Sequence, residues 1–271
     1  MLIVSEEAVE SLVSRADAFA AVESVFAAMA RGDATNFPVV RESLGHADAL
    51  FGFKSGFDTS AKVLGLKAGG YWPGNSGQGL TNHQSTVLLF DPDSGQLAAL
   101  VAGNHLTALR TAAASAVSIS HLARPDARVL GIVGAGHQAA FQLRAALEQR
   151  GFEQVVAWNR NPARLEGLAA VAADAGVPFK AVALYELGSQ SDVIITITSC
   201  FQPLLLRHHI KPGTHIACMG TDTRGKQELD PALLARWPGM SGTTHQRPGP
   251  KLSEPQGVSV QGAPVRHLTA E

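Results

Sequence analysis

The sequence has little cysteine: Cys200 and Cys218 are the only two thiols in 271 residues. A disulfide framework is therefore unsupported, and a reducing, cytoplasmic setting is expected. Both thiols stand in apolar surroundings, TITSC and IACMG, and read as buried small hydrophobes. Aromatic residues are sparse at 6%. An excess of charge is also lacking, because 22 Lys+Arg stand against 23 Asp+Glu. That balance leaves no global basic field to hold nucleic acid or an anionic membrane. No uncharged apolar run reaches the roughly 20 residues of a membrane-spanning helix. The start, MLIVSEEAVE, turns acidic after four residues and has neither the basic start nor the apolar run of a signal peptide. Gly-x-Ser-x-Gly and His-Glu-x-x-His are both missing, so hydrolase readings have no support. The pair His208 and His209 has no partners at metal-ligand spacing, and no metal site is expected.

What is present is a large apolar fraction, 45%, with 27 glycines. At roughly 100–200 residues per domain the length suits about two domains. Residues 6–31 read as one helix, with Glu6, Glu7 and Glu10 in its first turns and Gly32 as its stop. Residues 36–102 read as strands with antiparallel pairing, including a hairpin VLLF–DPDSG–QLAALV. Residues 104–122 form an Ala-rich helix with Asn104 as a plausible N-cap. From residue 128 the chain alternates strand and helix: ARVLGIVGAG, FQLRAALEQR, FEQVVAWNR, PARLEGLAAVAADAG, SDVIITITS and THIACMG. Such βαβ alternation predicts a parallel sheet with helices on its faces. No internal repeat is found. Residues 241–271 differ from everything before them, being poor in apolar residues and rich in Gly and Pro.

The strongest local signal is Gly134-x-Gly136-x-x-Ala139, which follows a strand and opens a helix. In that context it is the dinucleotide fingerprint. Gly134 would allow the tight turn, Gly136 would let the backbone approach a pyrophosphate, and Ala139 would permit close helix–strand packing. A carboxylate is expected at the end of the second strand when the ribose 2′-OH is held by an acid. Here VVAWNR supplies Asn159 and Arg160 instead. Asn159 can bond a 2′-OH and Arg160 can accommodate a 2′-phosphate, which leans to NADP(H). The alternative for Arg160 is a solvated helix-entry residue.

Three cations stand in apolar or neutral surroundings: Arg41 after FPVV, Lys67 in VLGLKAGGYW and Arg110 in LTALRTAAASA. Burying a cation without an anion is costly, so these three are candidates to converge on a carboxylate-bearing substrate. The alternatives are edge-strand charges for Arg41 and Lys67 and a solvent-facing Arg110. Asp222, in CMGTDTRGKQELD, follows a buried strand, where α/β sheets bind ligands. It could stabilise a cationic amine or iminium or exchange a proton; the alternative is a turn residue bonding its own backbone. His83 could line a site, or it is a hydrogen-bonded structural histidine.

These motifs together resemble the ornithine cyclodeaminase/mu-crystallin family. The likeness is carried by FPVVRE with Arg41, GLKAGG with Lys67 and HLTALRTAAASAVS with Arg110, then GIVGAGHQA and MGTDTRGKQELD with Asp222, in order over about residues 1–237. The resemblance implies an α/β fold: a Rossmann-type doubly wound parallel sheet plus a smaller α+β substrate and dimerisation domain. Residues 1–120 would be the substrate-binding and dimerisation domain, 121–240 the Rossmann domain, and 241–271 a divergent, disordered tail. The family's chain continues after ELDPALL with a segment that returns to the first domain, and no recognisable continuation follows here. A frameshift or truncation would produce such a tail, leaving activity in question and weakening the homodimer that the resemblance implies.

The implied activity is NAD(P)H-dependent reduction of an imine by hydride transfer, and the motifs look most like those of members that reduce iminosuccinate to L-aspartate. Other family activities stay open: alanine dehydrogenase, ketimine reductase, ornithine cyclodeaminase, or a non-catalytic NADPH- and ligand-binding protein of the mu-crystallin kind. By the resemblance, Arg41, Lys67 and Arg110 hold the substrate carboxylate. Lys67 and Asp222 are the catalytic pair, with Asp222 the acid/base near the substrate nitrogen. The cofactor would lie along Thr111, Gly134, Ala135, Gly136, His137, Gln138, Asn159, Arg160, Thr198, Ser199, Met219 and Gly220. The resemblance favours NAD(H) over the NADP(H) that Arg160 suggests. The expected partners are a small dicarboxylate imine or amino acid and a second copy of the chain, with no nucleic acid and no membrane.

Overall fold

The protein is described by a computed structural model over residues 1–221 and 225–234. The 241–271 tail and Asp222 therefore lie outside the described residues. Among the described residues the chain divides into two compact units, one of residues 1–110 and one of residues 111–221 and 225–234.

The first unit opens with β1 (Leu2–Val4), α1 (Glu6–Leu12) and α2 (Arg15–Arg31). The single helix expected over 6–31 is thus two. A capping box causes the break: the Ser14 hydroxyl accepts from the Asp17 amide at 3.1 Å, and the Asp17 carboxylate accepts from the Ser14 amide at 3.0 Å. Two amides are satisfied locally by restarting the helix at Ser14, an effect that apolar periodicity does not register. Gly32 ends α2 as expected, at φ +85°, where an L side chain is disfavoured.

Six strands follow: β2 (Ala34–Asn36), β3 (Val40–Ser43), β4 (Leu50–Asp58), β5 (Val63–Tyr71), β6 (His83–Phe90) and β7 (Leu97–Ala102). With β1 they form a seven-stranded sheet in the order β1-β7-β6-β5-β4-β2, with β3 also paired to β4. Only the β1–β7 pair is parallel. The expected hairpin is β6–β7, and Asp91 organises its turn by accepting the Asp93 and Ser94 amides at 2.9 and 2.8 Å.

α3 (Asn104–Leu122) has the expected bounds. Asn104 accepts from the Ser85 amide at 2.8 Å and donates to Gln84 Oε1 at 3.1 Å, so its side chain ties α3 to β6. The carboxylate at the helix start is Glu6, which accepts from the His105 amide and suits the positive end of the helix dipole. The first turns of α3 belong to the first unit and the remainder to the second.

The second unit continues with β8 (Val129–Val133), α4 (His137–Leu147), β9 (Gln154–Trp158), α5 (Glu166–Asp174), β10 (Phe179–Ala181) and α6 (Leu184–Gln190). After these come β11 (Val193–Thr196), β12 (His215–Cys218) and α7 (Pro231–Leu234). The sheet is parallel throughout, in the order β10-β9-β8-β11-β12. β10 is three residues long, too short for periodicity to reveal. Strand order reverses beside β8, so the carboxyl ends of β8 and β11 flank the switch point where such sheets bind ligands. Val133, Val156, Leu187, Ile194 and Leu205 are fully buried and form the core at that place.

Two polar networks fasten this sheet at its opposite end. Asp192 accepts the Arg128 and Val129 amides at 2.8 and 2.9 Å, and pairs with Lys211 at 2.7 Å and with Arg124. Burial opposes its charge, but Lys211 and the two amides outweigh that and hold the carboxyl at about 2. His215, at the start of β12, contacts the Ser118 hydroxyl of α3 through Nε2 at 2.9 Å. Arg150 caps α3 by donating to the Ile119, Ser120 and Ala123 carbonyls at 2.9, 2.9 and 2.7 Å. Burial, and the charge of Arg150, push His215 from 6.5 down to about 4.

The unfolded state then binds the proton first as pH falls. Stability should be full above pH 6.5 and decline by about 2–3 kcal/mol as pH drops towards about 4. Urea titrations across that window check this, and His215→Gln should flatten the decline.

Candidate active site

In the second unit, the fingerprint turn joins β8 to α4. The Gly134 amide donates to the Trp158 carbonyl at 2.9 Å. Its φ is +111°, and a Cβ there would stand 2.7 Å from the Ile197 carbonyl oxygen and 3.0 Å from Thr198 Cγ2. The turn therefore requires glycine. Gly136 is different: it is the N-cap of α4 with φ −81°, no side chain caps the helix, and a Cβ there would meet nothing within 4 Å. An open, uncapped helix N-terminus fits a pyrophosphate, which the first-turn amides can bind directly. Ala139 is 1% exposed, which lets α4 close on β8.

These two glycines should respond differently to substitution. Gly134→Ala should cost about 1–3 kcal/mol of stability through strain. Gly136→Val should unfold with the wild-type transition yet weaken NADH binding at least about 10-fold, since it blocks only the approach of the phosphates. Thermal melts beside NADH fluorescence titrations separate the two.

The remaining cofactor candidates fall around this turn. Ala135 is half-buried; His137 is exposed, its ring 5.5 Å from that of Phe141. Gln138 Oε1 is buried with no hydrogen-bond partner among the described residues. Asn159 donates to the Asn161 carbonyl at 2.7 Å, and the exposed Arg160 lies 4.0 Å from Cys200 Sγ. Thr111 is buried on α3, Met219 is buried, and Ser199 is exposed. Cys218 is buried as expected, its thiol pushed up to about 12 by burial and the Glu228 carboxyl; Cys200 is only half-buried.

Thr198 and Gly220 meet at a residue not anticipated from the sequence. Glu228 is 1% exposed and accepts four hydrogen bonds: Thr196 Oγ1 at 2.8 Å, Thr198 N and Oγ1 at 2.7 Å each, and Gly220 N at 3.0 Å. Burial pushes its carboxyl above the usual range, while the Thr198, Thr196 and Gly220 donors work the other way. It joins the carboxyl ends of β11 and β12, the strands that border the switch point. In the sequence Glu228 is one acid in the polar run RGKQELD, and no local pattern marks it as buried.

In the first unit, Arg41 lies on β3 opposite Gly52, and Gly52 lies opposite Gly69 on β5. Residues directly opposite share a face of the sheet, and so do residues two apart on one strand. Arg41 and Lys67 are therefore on the same face, which also carries His83. Lys67 Nζ donates to Thr107 Oγ1 of α3 at 3.3 Å, and Thr107 Oγ1 is 3.1 Å from Ser85 Oγ. Arg110 follows Thr107 by one helical turn, on the same side of α3. Arg41, Lys67 and Arg110 are each half-buried. Asp222 lies outside the described residues.

The sequence model of the family described as ornithine cyclodeaminase/mu-crystallin matches residues 1–246. The chain belongs to the ornithine cyclodeaminase/mu-crystallin family. Iminosuccinate reductase of Paracoccus denitrificans is 62% identical over 236 residues, a span covering 87% of this chain and 74% of that protein. The crystal structure of that reductase in complex with NAD+ matches with a TM-score of 0.83, over 87% of this chain and 73% of the other. An archaeal alanine dehydrogenase dimer with bound NAD, 30% identical, matches with a TM-score of 0.82, over 87% and 72% of the two chains. Ketimine reductase mu-crystallin of Rattus norvegicus is 36% identical over 186 residues, or 68% of this chain and 58% of that relative. Among the described residues, no helix is long and apolar enough to cross a membrane.

Proposed function

We propose that this member of the ornithine cyclodeaminase/mu-crystallin family is an NAD(H)-dependent imine reductase that converts iminosuccinate to L-aspartate. The observation that carries the reading is the 62% identity to iminosuccinate reductase across 87% of the chain. The cationic sheet face of the first unit supports it, because iminosuccinate bears two carboxylates. When bound, the nicotinamide supplies a hydride to the imine carbon. Arg41, Lys67 and Arg110 neutralise the carboxylate beside the imine carbon and hold that carbon in place. The nitrogen must gain a proton for the iminium to accept hydride readily, and Asp222 is assigned that proton by the family resemblance. The Gly134–Gly136 turn and the uncapped start of α4 bind the pyrophosphate, and Asn159 serves the ribose. NAD(H) is the cofactor of this reading, in keeping with the NAD+ complex of the similar reductase.

The working form in this reading is a homodimer. Val40, Phe51 and Phe53 are 37%, 39% and 42% exposed, on the face of the first sheet opposite Lys67. Val40 and Phe53 are cross-strand partners, so the apolar side chains form one patch, suited to a second copy. The alanine dehydrogenase of similar fold is a dimer. A monomer in sedimentation equilibrium across micromolar concentrations would remove this part of the reading.

The deciding assay is NADH oxidation with oxaloacetate plus ammonia, which form iminosuccinate in solution, run beside NADPH. Rapid oxidation of NADH is expected. Turnover of pyruvate plus ammonia alone would instead make the chain an alanine dehydrogenase. Release of ammonia from ornithine without net cofactor change would make it a cyclodeaminase, and tight NADPH binding without turnover would make it a ligand-binding protein.

A further inference from the structure

The β4–β5 register places a second lysine beside the candidate substrate residues. Three successive cross-strand pairs on the Lys67 face are Gly52 with Gly69, Lys54 with Lys67, and Gly56 with Gly65. Antiparallel partners stand with Cβ atoms about 4.5–5.5 Å apart, so the two lysines leave the sheet side by side. On both sides of them the paired positions are glycines. These positions require glycine: a Cβ at Gly52 or Gly69 would run into the Val40 or Gln84 carbonyl oxygen, and one at Gly56 would lie 2.7 Å from the Thr35 carbonyl oxygen. At Gly65 it would lie 2.9 Å from Leu89 Cδ2. Arg41, opposite Gly52, borders the same glycine floor. Lys54, like Arg41 and Lys67, is half-buried.

Like charges held directly opposite one another destabilise a sheet, and half-burial makes the repulsion larger than in water. Placing them there concentrates positive charge on the face that also carries Arg41, beyond what one carboxylate requires. Arg41, Lys67 and Arg110 already suffice for the carboxylate beside the imine carbon.

We infer that Lys54 is a specificity-determining residue that binds the second, distal carboxylate of a dicarboxylate imine. The inference rests on the imine-reductase reading above and adds to it a reason for preferring a four-carbon diacid to a three-carbon monoacid. Lys67 takes the carboxylate nearer the imine while Lys54, one strand across, meets the carboxylate one methylene further out. A monocarboxylate imine presents nothing to Lys54.

The test compares Lys54→Met and Lys54→Arg with wild type, using oxaloacetate plus ammonia and pyruvate plus ammonia. In Lys54→Met the ratio of kcat/KM for the dicarboxylate over the monocarboxylate imine should fall about 100-fold, mainly through KM for the dicarboxylate. Lys54→Arg should recover most of the ratio. Binding of succinate and propionate by calorimetry gives a second readout that needs no turnover: wild type should prefer succinate, and Lys54→Met should lose that preference. An unchanged ratio, or an equal loss for both acids, overturns the role of Lys54. Absence of imine reduction by wild type overturns the functional reading instead, and the succinate–propionate comparison still decides whether Lys54 recognises a second carboxylate.

Discussion

Arg110→Met raises KM for the imine about 100-fold or more, while the NADH dissociation constant and the melting temperature stay near wild type. The size follows from truncating one member of a part-desolvated charge pair, which leaves the substrate carboxylate without its partner. The effect falls on KM because the carboxylate is held equally in the ground state and the transition state. Arg110 is suited to this role by position. It lies one turn beyond Thr107, whose hydroxyl accepts from Lys67 Nζ, so one side of α3 faces the cationic floor of the sheet. Steady-state kinetics with oxaloacetate and varied ammonia measure it. An unchanged KM would remove Arg110 from the substrate site and return it to the role of a helix charge.

Glu228→Ala is expected to be the most damaging single change in the second unit. It strips the acceptor from two hydroxyls and two amides at once, in a place that is 1% exposed. Unsatisfied buried donors together with the cavity should lower stability by about 3–5 kcal/mol. Glu228→Gln separates positioning from bulk, since it fills the volume but turns an NH2 group towards donors. Its stability loss should be smaller, while NADH binds about 10-fold or more weakly, because Thr198 and Gly220 are displaced where the cofactor is expected. Equal NADH affinity in Glu228→Gln and wild type would reduce Glu228 to a structural brace. Circular dichroism melts and NADH titration on both variants give the two readouts.

Much of the second unit is legible in the sequence. The fingerprint from Val129 to Ala139 is contiguous, and its strand, turn and helix each announce themselves within a few residues. The β6–β7 hairpin was legible for the same reason, its Asp91 turn being bonded within the turn itself. Apolar spacing persists across Ser14 and predicts one continuous helix, whereas the decisive event there is a polar capping box. The type of Asn104 suits a cap, and the sequence gives no sign of its partners Gln84 and Ser85, which lie on a strand remote along the chain.

The candidate site was legible by residue type and illegible by arrangement. Arg41, Lys67 and Arg110 are conspicuous as cations in apolar segments, and nothing in their spacing says that two of them share a sheet face. LFGFKSGFD gives Lys54 no contrast in composition, and only the pairing of β4 with β5 sets it against Lys67. Nothing in RGKQELD marks Glu228, because burial of an acid is decided by what surrounds it.

The sequence by itself determined the dinucleotide turn, the change from antiparallel to parallel organisation and the identity of the candidate charges. These follow from glycine conformations, from periodicity and from the chemistry of single side chains. Tertiary structure alone decided that Glu228 is buried under four donors, that Glu6 supplies the carboxylate at the start of α3, and that Lys54 and Lys67 stand side by side. Each depends on the register of strands or the packing of elements far apart along the chain, and a shift of one residue in the β4–β5 pairing would send Lys54 and Lys67 to opposite faces.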